Sequence, residues 1–121
     1  MTSKDLQLPE SLERALDETV RRIVEIARPQ AVILFGSYAE GRAKAHSDFD
    51  FLVIADTDDT GSLATDLYVA LAHLARGRWQ DFPPCDVLVL TPEEWAYESE
   101  LPGLVVWRAR KHGVVVYGQA A

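Results

Sequence analysis

The sequence predicts an α+β (α/β) domain, a small mixed β-sheet of about four strands flanked by helices. Three observations predict it. Short apolar runs at 31–35, 49–55, 86–90 and 113–118 read as buried strands. The stretches around them carry apolar residues at helical spacing. The resulting order, α-β-β-α-β-α-β, packs helices onto one sheet.

Each element has its own justification. Residues 1–8 are polar and are expected to form a flexible tail, with 9–121 as a single domain. From Pro9 to Arg28 the apolar positions Leu12, Leu16, Val20, Ile23, Val24 and Ala27 keep a helical period. Pro9 suits a first helical turn and Pro29 ends the helix. AVILF follows and is stopped by Gly36, and FDFLVIA at 49–55 is a second strand of the same kind. The turn-rich DTDDTGS leads to a helix expected over about 63–79, with Leu63, Leu67, Ala70, Leu71 and Leu74 on one face. DVLVL at 86–90 is a third strand, and Thr91 caps the helix opened by PEEWAYE. Leu104 to Lys111 continues helically, and GVVVYG closes the sheet.

Composition narrows the function. The chain has 121 residues, a net charge of −7 and 48% hydrophobic residues. Basic residues are scattered and outnumbered, which disfavours nucleic acid as the principal partner. Cys85 is the one cysteine, so no internal disulfide forms, and no Cys/His cluster has zinc spacing. No apolar stretch has the length to span a bilayer, and the first residues lack a signal peptide's apolar run. A cytoplasmic location without membrane contact is the expectation.

The chemistry gathers between 36 and 50, where the chain reads GSYAEGRAKAHSDFD. Residues two apart on a strand share a face, so Asp48 and Asp50 project together while Phe49 and Phe51 face the opposite, buried side. Two carboxylates held this close repel, and a hard divalent cation relieves that repulsion. Asp86 opens the next apolar run. If the two strands are neighbours, Asp86 lies about 5 Å away, and three acids would hold two Mg²⁺ ions for displacement at phosphorus. Gly36 permits a sharp turn and close approach of a phosphate. Ser37 is expected to cap a short helix whose free N–H groups favour an anion.

Gly36-Ser37, ten residues, then Asp48-Phe49-Asp50 resembles the signature of the polymerase-beta-like nucleotidyltransferase superfamily. Ser47-Asp48, Asp86-Val87 and the C-terminal PGLVVWRARKHGVVVY also resemble it, so the likeness runs from about Ala31 to Tyr117. The short form is similar to the minimal nucleotidyltransferases, antitoxins of HEPN/MNT toxin–antitoxin pairs. The resemblance implies a polymerase-beta-like fold and transfer of AMP from ATP to a tyrosine hydroxyl of a HEPN-domain toxin. It implies metal and catalytic roles for Asp48, Asp50 and Asp86, and triphosphate contacts for Gly36 and Ser37. Many relatives have a basic residue where Glu40 stands, so either Arg42 and Lys44 take over neutralisation of the triphosphate or its affinity is weaker, with a solvated loop the alternative reading of both cations.

Other residues read as structural. Asp56, Asp58 and Asp59 are turn formers at the far end of the second strand, and His46 and His73 are surface residues. His112 suits a helix C-terminus, Tyr38 packs, and Cys85 is a small buried hydrophobe. Trp79, Trp95, Trp107 and Tyr117 are candidates either for partner contact or for filling a small core. Two alternatives stand beside the antitoxin enzyme: an adenylyltransferase of a small hydroxylated molecule such as an aminoglycoside, and a non-catalytic antitoxin that neutralises by binding. A homo- or hetero-oligomer is compatible with each.

Overall fold

The computed structural model describes residues 6–120. Of the expected tail, residues 1–5 lie outside the described residues. Leu6 and Leu8 are half-buried against the core.

Helix α1 (Glu10–Ala27) starts behind Pro9 and ends where Arg28 turns left-handed. It leads into β1 (Ala31–Phe35) and then β2 (Phe49–Ile54). Helix α2 (Thr60–Leu74) precedes β3 (Cys85–Leu90), helices α3 (Pro92–Glu98) and α4 (Val105–His112), and β4 (Val114–Gly118). The four strands form one sheet in the order β3-β2-β1-β4. β1 pairs antiparallel with both β2 and β4, while β2 and β3 run parallel.

Alternation along each strand divides the interior into two layers. Val32, Leu34, Phe49, Phe51, Val53, Val87 and Val89 pack with Leu16, Ile23, Leu67 and Leu71 of α1 and α2. Ile33, Leu52, Ile54 and Leu90 face the other way and pack with Trp95, Val106 and Ala109 of α3 and α4. Thr19, the polar residue buried under α1, donates its hydroxyl to the Ala15 carbonyl at 2.7 Å.

Three expectations are corrected. The helix expected over 63–79 starts earlier, because the Asp59 side chain accepts the Ser62 N–H at 3.0 Å and caps it at Thr60. It also stops earlier, at Leu74, and a turned segment through Gly77 follows. Trp79 is therefore in a loop, 67% exposed. Ser37 caps no regular helix: residues 36–42 make a single helical turn, with Glu40 N–H on Gly36 O and Arg42 N–H on Ser37 O. Of the two readings for Trp95, filling the core is the one the structure shows, between α3 and the sheet.

The C-terminal half of the expected pattern is kept. Thr91 and Glu94 form a reciprocal capping box at the start of α3. His112 stands in the last turn of α4, and His46 and His73 are exposed. No helix among the described residues is long and apolar enough to cross a membrane.

Candidate active site

The parallel pairing of β2 and β3 places Asp50 directly opposite Asp86. Paired residues in adjacent strands project to the same face, here the α3/α4 face that Leu52 and Ile54 share farther along. Asp48 stands one residue before β2 and carries the acid row out into solvent, where it is exposed. The site lies at the rim because the apolar residues of the same face begin only at Leu52.

Electrostatics among the acids follows from this packing. Burial raises the Asp50 carboxyl above its ordinary range, and the negative charges of Asp86 and Asp48 push it up further. Among the described residues none of the three makes an ion pair with a protein cation. The same acids, after burial itself, push the Cys85 thiol up to about 12. Cys85 is thus a protonated, mostly buried neighbour with no nucleophilic use.

Gly36 ends β1 at φ 75°, and a β-carbon there would fall on the Asp50 carboxylate. Backbone and acid therefore approach more closely than any other residue would allow. Among the described residues the Ser37 hydroxyl caps nothing. Tyr38 packs, 7% exposed, with its ring 5.0 Å from that of Phe49. Burial raises its hydroxyl pKa and the nearby Asp48 charge adds to that.

The donor set suits a hard divalent cation: carboxylate oxygens with no ion-paired cation among the described residues, and a Gly36 backbone that leaves room for the Asp50 carboxylate. The three acids do not close a cage by themselves. No group of three His, Cys, Asp or Glu among the described residues is gathered tightly enough to hold a metal alone. Substrate oxygens would have to complete the coordination, the usual arrangement for Mg²⁺.

Two connections escaped the sequence reading. Glu40, expected only as a departure from a basic residue, takes a two-pronged contact from Arg108 of α4, at 2.6 and 3.0 Å. That contact holds the Glu40 carboxyl below its usual range. Arg42 also lies 3.5 Å from Glu40, so this cation leans back on its own turn, while Lys44 makes no ion pair among the described residues. The second is Tyr68 of α2, whose hydroxyl lies 3.1 Å from Asp86 Oδ1. No local pattern announces either, since the partners are 68 and 18 residues apart. By contrast, Asp59, expected as a turn former, caps α2 and donates its N–H to the Thr57 hydroxyl.

A groove of about 870 Å³ opens between the start of α1, the 41–47 loop and the 79–84 loop; its lining reaches Ser47, the residue before Asp48, and includes none of the three acids. Tyr38, Lys44, His46, Ser47 and Trp79 line it. Its outer wall is held by Arg78, which pairs with Glu18 of α1 at 2.7 Å and lies over the Phe82 ring.

The family model described as Polymerase beta, Nucleotidyltransferase matches residues 18–120. The chain belongs to this nucleotidyltransferase family. The match takes in both halves of the site, Gly36-Ser37 and the three strand-head acids. Solved structures share the fold of this nucleotidyltransferase. A crystal structure of a toxin–antitoxin with AMP-PNP aligns at TM-score 0.55 and 19% identity, covering 85% of this chain and 73% of that one. A crystal structure of a mutant toxin–antitoxin, MntA-HpeT, aligns at TM-score 0.51 and 16% identity, covering 85% and 72%. At these identities the likeness is one of fold. No curated protein matches.

Proposed function

We propose that this nucleotidyltransferase transfers AMP from Mg²⁺-ATP to a hydroxyl, a tyrosine, of a HEPN-domain toxin and so acts as its antitoxin. The observation that carries this reading is the register of Asp50 against Asp86, with Asp48 beside them and, among the described residues, no protein cation paired with any of the three. Such a row is costly unless a metal–phosphate complex sits on it.

Asp48 and Asp50 would hold one Mg²⁺ ion, and Asp50 and Asp86 would share in holding a second. When bound, the ions supply charge neutralisation to the triphosphate and lower the pKa of the attacking hydroxyl. Gly36 gives the phosphates room and Ser37 donates to them. Asp86 accepts the hydroxyl proton as the new oxygen–phosphorus bond forms at the α-phosphorus. The bond to the β-phosphate breaks, and pyrophosphate leaves with its electron pair. Catalysis is then mostly positioning and electrostatic stabilisation. Lys44, on the groove wall and unpaired among the described residues, is the better placed of the two loop cations for the triphosphate; Arg42 would have to leave Glu40.

The toxin–antitoxin structures that share the fold, one of them with AMP-PNP, support both the nucleotide and the partner. The exposure of Asp48 and Asp86 supports a macromolecular acceptor, because it leaves the acids reachable from outside. The test uses ATP labelled at the α-phosphate, Mg²⁺, the purified protein and extract of its host. A labelled protein band is expected, absent with the Asp48→Asn/Asp50→Asn protein. Tight Mg²⁺–ATP binding with no labelled protein would overturn the toxin reading and direct attention to small hydroxylated acceptors.

A further inference from the structure

Tyr68 sits on α2, which packs on the face of the sheet opposite to the acids. Yet its hydroxyl lies 3.1 Å from Asp86 Oδ1 and 2.9 Å from the Val87 backbone nitrogen. β3 is an edge strand, and alternate residues such as Val87 aim their N–H groups away from β2. Tyr68 therefore meets Asp86 around the free edge of the sheet. The directions of the two bonds follow from the donor inventory. The Val87 amide can only donate, so the phenolic oxygen accepts there. Its one proton is left for Asp86 Oδ1.

We infer that Tyr68 is a positioning residue, which engages Asp86 Oδ1 and so presents the other carboxylate oxygen to the cation that Asp86 shares with Asp50. The inference rests on the metal-dependent reading above. A carboxylate on a strand head has a free rotation about its terminal torsion, and a fixed donor on one oxygen selects one setting. The position at the sheet edge explains why the tether comes from a tyrosine. Its ring spans from the helix layer to the strand edge, and the hydroxyl then serves both the amide and the acid.

The rival role is simple capping of an exposed edge amide. Mn²⁺ as the probe separates them, with free Mn²⁺ followed by electron paramagnetic resonance in the presence of a non-hydrolysable ATP analogue. The proteins are wild type, Tyr68→Phe, Asp86→Asn and the double variant, each with a melting curve. Water replaces the lost partner of Val87 at the edge, so Tyr68→Phe keeps the fold. Tyr68→Phe is expected to weaken Mn²⁺ binding about tenfold, with the affinity for the analogue at saturating Mn²⁺ little changed. In the Asp86→Asn background the same change should make no further difference. Unchanged Mn²⁺ affinity, whatever happens to the melting temperature, would leave only edge capping and overturn the inference. Equal losses in both backgrounds would overturn it too, because Tyr68 would then act independently of Asp86. If Asp48→Asn/Asp50→Asn binds Mn²⁺ as wild type does, the metal reading itself fails and this inference falls with it.

Discussion

At Gly36 the backbone has φ 75°, and an added β-carbon would meet the Asp50 side chain. Gly36→Ala therefore combines left-handed strain of about 1–2 kcal/mol with displacement of an acid at the site. Its kcat/KM is expected to fall on the order of 100-fold, since a misplacement of about 1 Å has that effect. The melting temperature should drop by only several degrees. A variant that melts lower but retains full activity would contradict the shared constraint. Asp50 itself makes a pH prediction. Burial, then Asp86 and Asp48, raise its pKa above the ordinary 3.8, so the folded state keeps a proton that the unfolded chain has released. Stability therefore falls as pH rises from the ordinary value through the raised one. Metal-free Asp50→Asn should melt above wild type at neutral pH, with the difference vanishing below about pH 3. Adding Mg²⁺ with ATP should stabilise wild type more than the variant, by mass action on the folded state. Melting curves across pH, with and without Mg²⁺–ATP, check both.

The elements that carry the site were legible to different degrees. β1, β2 and β3 were readable because they are apolar apart from the site acids Asp50 and Asp86, and their apolar runs stop at Gly36, Asp56 and Thr91. The end of α2 was not. Apolar residues continue past Leu74, but Ala75 and Phe82 enter the core from turns rather than from a helix. The tie between α4 and the 36–42 turn was likewise hidden, because Arg108 and Glu40 belong to segments that approach only after the sheet forms. This tie gives the element-level prediction. The Arg108 side chain is 57% exposed, so solvent screens the pair and its contribution to stability is small. Arg108→Ala should lower the melting temperature at low salt and much less at high salt. Because Arg108 depresses the Glu40 pKa, its contribution is present above the ordinary value of 4.5 and is lost as pH falls through the depressed one. Melts at two ionic strengths and two pH values test this.

For the whole molecule, the sheet order joins residues that chain distance keeps apart. Gly36 and Asp50 meet through the β1–β2 pairing, and Asp50 and Asp86 through β2–β3. Trp79, Tyr97 and Tyr117 are exposed, whereas Trp95 is used up in the core, and Tyr117 pairs with Val32 at the end of the sheet away from this junction. Trp79, on the groove wall, is the natural contact for a protein acceptor. Trp79→Ala should leave the melting temperature and Mg²⁺–ATP affinity unchanged while weakening transfer to the labelled acceptor by about tenfold or more. Loss of nucleotide affinity instead would assign Trp79 to the nucleotide. The sequence alone determined the apolar strands, the acid pair with period two, the Gly-Ser turn and the family resemblance, since all depend on neighbours along the chain. The pairing of Asp86 with Asp50, the Tyr68 tether, the Glu40–Arg108 link and the burial of Trp95 were decided only by tertiary structure. Each depends on which strand or helix lies beside another, and long-range pairing and packing set that.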